Sequence, residues 1–227
     1  MLIKDKIRLD NAGLLEHGAA TIVAFGDSVT HGVLQIGEVD YDAPYWNVLR
    51  KKLHEQGNYI PINVINAGIE GITATKSLAR LERDVLSHHP DLIIVCFGLN
   101  DINEPLEQYL ASLRTILLTC KERCEQVIFL SPNMLNTYVA PETKEDFKAY
   151  AAVTAGYQNE GKMDDYILSA CDVARACGVL VCDMYSHWKA LARQGVDTTK
   201  LLSNSINHPT RQMHEVTAQK LYDMVMA

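Results

Sequence analysis

The stretch VAFGDSVTHGV, residues 23–33, runs apolar, turns abruptly small and polar, and becomes apolar again. Its first half reads as a buried strand. Gly-Asp-Ser is ordinary turn chemistry, so Gly26, Asp27 and Ser28 alone leave two readings open. The triplet either bends the chain or presents a hydroxyl at the end of a strand. Working outward, TIVAF (21–25) is joined by INVINA (62–67), LIIVCF (92–97), QVIFLS (126–131) and VLVCDM (179–184). All five runs are rich in β-branched residues and apolar on both faces, the pattern of a parallel sheet covered on both sides.

Stretches of helical period separate these runs. Asp42 and Pro44 predict a helix start for residues 44–56, with Gly57 as its stop. Residues 74–88 carry Leu78, Leu81 and Val85 on one stripe, and 105–124 carry Leu106, Leu110, Leu113 and Leu117. Further helices are expected over 162–177 and 211–226. Trp46 and Trp188 fall on amphipathic helices and are expected in the core. Strands alternating with helices predict a doubly wound α/β fold, because parallel strands need right-handed crossovers. With no repeat, low-complexity tract or linker, residues 1–227 read as a single domain. Residues 132–161 are the exception, long for a connection and containing Tyr138, Tyr150 and Tyr157. A lid over a site and a surface excursion both fit that segment.

Composition narrows the partners. The chain has 227 residues, 48% hydrophobic and 22% charged, which excludes the disordered and membrane classes. A net charge of -7 disfavours nucleic acid and anionic membrane surfaces. The N-terminus lacks the apolar core of a signal peptide, and no apolar run reaches membrane-spanning length. The six cysteines show no Cys-x-x-Cys pair, and Cys120 with Cys124 cannot complete a zinc site. Free thiols in a reducing cytoplasm are therefore expected.

In open α/β sheets, sites form beyond the carboxyl ends of the strands. Those ends carry Gly26-Asp27-Ser28, Asn66-Ala67-Gly68 and Gly98-Leu99-Asn100-Asp101, while Asn204-Ser205-Ile206-Asn207-His208-Pro209 precedes the last helix. Singly, each is a turn or a cap. Together they supply what acyl transfer to a hydroxyl requires. Ser28 is the candidate nucleophile and His208 its base. The Ser28 N–H, the Gly68 N–H and the Asn100 amide are the candidate oxyanion donors.

These four blocks, GDS, the glycine of NAGIEG, GLND and NHP, are similar to those of the SGNH, or GDSL-type, esterases and lipases. The resemblance covers nearly the whole chain and places the family letters on Ser28, Gly68, Asn100 and His208. It implies a three-layer α/β/α sandwich with a five-stranded parallel sheet, flavodoxin-like in form. It also implies ester hydrolysis through an acyl-enzyme, without metal or other cofactor. The Gly-x-Ser-x-Gly elbow of α/β-hydrolases is absent.

One position departs from the pattern. The family usually carries an aspartate three residues before the histidine, where this chain has Ser205. A backbone carbonyl near residue 205, the Ser205 hydroxyl, or an acid such as Asp183 or Asp197 could orient the imidazole instead. The carbonyl is favoured, since it needs no particular side chain. Asp27 and Asp101 are expected to hold loops, with Asp27 also a candidate substrate contact beside His31, Asn133 and Tyr138. His214 is expected on the surface, and His88 and His89 at a helix end.

The leading expectation is a serine esterase for short acyl groups, acetyl included, on small molecules or carbohydrates, since no long apolar lid stands out. Thioesterase or lysophospholipase activity is the alternative within the same chemistry. A metal-dependent phosphoesterase fits less well, because no Asp-x-His precedes Gly26. A non-catalytic carbohydrate-binding domain would explain the missing aspartate but leaves the four blocks without a purpose. A flavodoxin-like nucleotide binder would need a phosphate-cradling glycine pattern that NAGIEG lacks.

Overall fold

The computed structural model describes residues 1–227 except 36, 56 and 58. Helices α1 (Ile3–Lys6) and α2 (Asn11–His17) lead into strand β1 (Ala20–Gly26), short helix α3 (Ser28–His31) and a hairpin of β2 (Val33–Gln35) and β3 (Glu38–Val39). Then follow α4 (Tyr45–His54), β4 (Ile62–Gly68), α5 (Ala74–Ser77), α6 (Leu81–Asp84), β5 (Leu92–Cys96) and α7 (Leu106–Arg123). The second half runs β6 (Gln126–Leu130), α8 (Lys148–Asn159), α9 (Lys162–Ala176), β7 (Leu180–Cys182), α10 (Met184–Arg193) and α11 (Arg211–Met226).

The five long-range strands form one parallel sheet in the order β4-β1-β5-β6-β7. The fold is the α/β sandwich that the alternation of strands and helices predicts. Helix α4 packs against α11, and α7 against α5 and α9. Central strands β1, β5 and β6 are buried almost throughout, whereas edge strands β4 and β7 expose part of their length. The edge strands are therefore less completely covered than the centre of the sheet. No helix among the described residues is long and apolar enough to cross a membrane.

Local detail departs from the sequence reading in four places. The expected helix over 74–88 is broken into α5, α6 and two 3-10 turns. The hairpin after α3 carries no alternation long enough to read as strands. Residues 148–159 of the long connection form α8. The helix expected over 44–56 ends at His54, and Gln56 lies outside the described residues.

Register decides where the site can form. Gly26 at the end of β1 lies opposite both Gly68 of β4 and Cys96 of β5. The three loops GDS, NAGIEG and GLND thus leave the sheet at one level, side by side. Because the chain runs from β1 to β4 on one side and later to β5 on the other, a crevice opens there. Buried Arg80 secures this edge. Its guanidinium donates to the carbonyls of Ala67 at 2.7 Å and Gly26 at 3.2 Å, and sits 4.4 Å over the Phe25 ring. Replacing a charged donor to buried carbonyls costs about 1–3 kcal/mol. Arg80→Met is therefore expected to lower the unfolding free energy by that amount, read as a lower urea midpoint at an unchanged m-value, and an unchanged midpoint would show that the strand ends do not depend on it.

Candidate active site

The floor of the crevice is a hydrogen bond between the Oγ of Ser28 and the Nε2 of His208, 2.9 Å long. Both residues are buried, at 3% and 4% exposure. Ser28 opens α3, whose cap is Asp27, with its Oδ1 accepting from the Val29 N–H at 3.0 Å. As the first residue of that helix, Ser28 has an N–H without an intrahelical acceptor.

His208 sits in a loop held by its own side chains. The Oδ1 of Asn204 accepts from the N–H groups of Ile206, Asn207 and His208, each at 3.0 Å. The Ser203 N–H donates back to the His208 carbonyl at 2.7 Å. From the loop after β6, the Nδ2 of Asn133 donates to the Asn207 carbonyl at 2.8 Å, and the Asn136 N–H to the Ile206 carbonyl at 2.9 Å. Asn133 is buried in this bracing and does not line the cleft, so its expected contact with substrate is replaced by a supporting one.

The Nδ1 of His208 is buried with no hydrogen-bond partner among the described residues. Ser205 therefore does not orient the ring; it adopts a left-handed φ of 58° and faces a neighbouring cavity. Asp183 caps α10 and Asp197 accepts from the Tyr138 hydroxyl, so neither acid reaches the histidine. Burial lowers the His208 pKa to about 4, opposed only by the Leu34 carbonyl of β2. The carbonyl expected near residue 205 to orient the ring is not found, since Nδ1 has no hydrogen-bond partner among the described residues.

Gly68, expected to offer its N–H to the site, has that group engaged elsewhere. The Gly68 N–H already donates to the Oδ1 of Asn66 at 3.0 Å. A Cβ on Gly68 would lie 2.2 Å from the His31 backbone nitrogen, so glycine is needed there for close packing of α3 on β4. Gly71, with φ +72° and open space around it, lines the cleft with Ser28, Asn100 and His208, and its N–H has no partner among the described residues. The signal was present in NAGIEG, which has two glycines, but only the register shows which one leaves the sheet. The Nδ2 of Asn100 donates to the Ile72 carbonyl at 3.1 Å, leaving its second N–H for another acceptor.

Other expected contacts lie elsewhere. Asp27 is 1% exposed and does not line the cleft. Asp101 is likewise buried and accepts from the Ala74 N–H at 2.8 Å. Desolvation, with each carboxyl further raised by a nearby acid, pushes both pKa values up to about 7. His31 stands against Tyr41 with ring centroids 6.2 Å apart, outside the cleft lining, and Tyr138 holds Asp197 at 2.8 Å. His214, expected on the surface, is 1% exposed. Its Nδ1 accepts the Tyr45 N–H at 3.2 Å because α11 packs on α4. The cleft encloses about 480 Å³, with a wall of Asp146, Phe147 and Tyr150 from the long connection over 132–161; of these three the sequence reading named only Tyr150.

A family model for the GDSL-like lipase/acylhydrolase family matches residues 24–216. The chain belongs to this family. Among solved structures, an acetyl-xylooligosaccharide esterase variant from Geobacillus superposes with a TM-score of 0.70 at 20% identity, covering 91% of this chain and 94% of its own. A lipase/acylhydrolase from Enterococcus faecalis gives 0.69 at 22%, covering 91% and 95%. At these identities the likeness is one of fold. An acetylxylan esterase of Geobacillus stearothermophilus is 31% identical over 83 residues, 31% of this chain and 38% of the relative. The uncharacterized lipoprotein YqeF of Bacillus subtilis is 38% identical over 95 residues, 40% of this chain and 35% of the relative. The chain thus spans little more than a third of the length of these curated relatives.

Because the lowered His208 pKa means that the folded state binds its proton less readily than the unfolded one, this group contributes stability above the unfolded value near 6.5 and loses it as pH falls toward 4. Ring-proton NMR is expected to place its titration near pH 4, and a midpoint at 6.5 would contradict the buried, acid-free environment described.

Proposed function

We propose that this chain is a serine esterase that hydrolyses short acyl esters, acetyl esters above all, of small molecules or carbohydrates through an acyl-enzyme. The observation that carries the reading is the buried 2.9 Å hydrogen bond from Ser28 to His208 at the floor of a cleft bordered by Gly71 and Asn100. In the proposed reaction, Ser28 Oγ attacks the ester carbonyl carbon while its proton passes to Nε2 of His208. The oxyanion is held by the N–H groups of Ser28 and Gly71 and by the Asn100 amide, with Gly71 in the place first expected of Gly68. Collapse expels the alcohol, which takes the proton from His208. Water then repeats the sequence on the acyl-enzyme and releases the acid.

A neutral His208 is the form that accepts a proton, and its low pKa keeps it neutral across physiological pH. Among the described residues no carboxylate bonds the His208 ring, so the proposed machinery is a dyad. The acetyl preference is supported by the acetylxylan esterase relative, and the mainly apolar cleft sets the polar groups of Glu70, Asp146, Asn204 and Asn207 beside Phe147 and Tyr150. The polar groups in that lining can engage the hydroxyls of a carbohydrate alcohol. We place the chain in the cytoplasm on the six buried free cysteines, which suit a reducing compartment.

Activity on p-nitrophenyl acetate tests the assignment. Ser28→Ala and His208→Ala are each expected to lose on the order of 10³-fold or more in kcat. Asn100→Ala is expected to lose about 10²–10³-fold, mostly in kcat. Ser205→Ala is expected to retain most activity. Wild-type rates from Ser28→Ala would remove the serine assignment, and a large loss from Ser205→Ala would return that residue to the machinery. Across p-nitrophenyl esters of increasing chain length, rates are expected to fall; a rise would favour the lipolytic alternative.

A further inference from the structure

We propose that the cleft continues into a second binding site, one that takes a neutral, polyhydroxylated unit of the alcohol such as the edge of a second sugar ring. The proposal rests on the esterase reading above and extends it to the length of the substrate. Phe147, Asn204 and Ile206 border both the cleft that holds Ser28 and a neighbouring cavity of about 110 Å³. The two spaces therefore share a wall, and the proposal requires that a ligand seated over Ser28 pass Phe147 to reach the second. Small-molecule sites generally begin near 300 Å³. The smaller cavity thus acts as an extension of the cleft and not as an independent site.

Its chemistry identifies what fits. Beyond the shared residues, the cavity is lined by Gln35 of β2, by Glu142 and Lys144 ahead of α8, and by Ser203 and Ser205 of the loop that carries His208. These offer hydroxyls, an amide and one charge of each sign, so the lining has no formal net charge. The polar atoms of this surface can exchange hydrogen bonds with hydroxyl groups, and a ligand that leaves them unpaired is disfavoured. Half-buried Phe147 adds a flat apolar face against which the C–H side of a sugar ring can pack. Exposed Glu70 and Asp146 border the cleft itself and repel an anionic alcohol.

Ser205 gives the arrangement its logic. The resemblance led to an acid at this position, turned toward the histidine. Here a left-handed backbone directs the residue to the cavity, and Nδ1 of His208 goes without a partner. The position that would have served the base instead lines the path of the substrate.

The experiment compares kcat/KM for the acetyl esters of a monosaccharide and of the matching disaccharide. It uses wild type, Glu142→Trp and Gln35→Trp, two variants that fill the cavity from different segments. Wild type is expected to prefer the disaccharide about ten-fold, chiefly through KM, which is the scale of one or two hydrogen bonds. Both tryptophan variants are expected to bring that preference close to one. No preference in wild type, or a preference untouched in both variants, would overturn the second site while leaving the esterase reading in place. Failure to cleave either ester, together with no labelling of Ser28 by a fluorophosphonate, would overturn both.

Discussion

One hydrogen bond joins the two ends of this chain. Ser28 follows the first strand of the sheet, and His208 stands 180 residues later in the loop before the last helix. For these groups to meet, β1 must end level with its neighbours and the C-terminal loop must return over that edge in a fixed shape. The register of Gly26 with Gly68 and Cys96 satisfies the first condition, and the Asn204 turn braced by Asn133 and Asn136 satisfies the second. A group held within about half an ångström by packing and supporting hydrogen bonds is what chemistry at a hydroxyl demands. The buried polar atoms around the site are mostly engaged in that support.

The histidine itself is left partly unsupported, with Nδ1 unpartnered among the described residues. Burial without a carboxylate favours the neutral ring, and the Leu34 carbonyl offsets only part of that effect. An imidazole in this setting accepts a proton weakly and returns it readily. The hairpin of β2 and β3 then has a function beyond connecting α3 to α4, because it carries both the Leu34 carbonyl and the Gln35 side chain to the loop of His208. In this chain the same short element faces the base on one residue and the neighbouring cavity on the next.

Much of this was legible in the sequence for physical reasons. Five β-branched runs separated by helical periods leave few alternatives to a parallel sheet, and residues at the carboxyl ends of such strands converge. Ser28 and Asn100 could be read that way because each stands in a short polar block after an apolar run, whereas His208 is expected from its polar block before the last helix. What escaped was set by tertiary packing. Gly68 and Gly71 are indistinguishable until the strand's last residue is known. Arg80 looks like a surface residue of a broken helix until its guanidinium is found under the strand ends. His214 falls at a helical position whose burial depends on α4. The carbonyl of Leu34 and the wall of Phe147 and Tyr150 come from segments with no periodicity strong enough to place them.

The central claim is that the oxygen of residue 28 carries the acyl group during turnover. Rapid-quench mapping by mass spectrometry, after mixing enzyme with an activated acetyl ester at mildly acid pH, addresses it directly. The expected result is one acetyl group on the peptide containing Ser28, absent when the ester is omitted and cleared as product forms. Acetylation confined to other residues, or turnover with no modified peptide at any time, would contradict it.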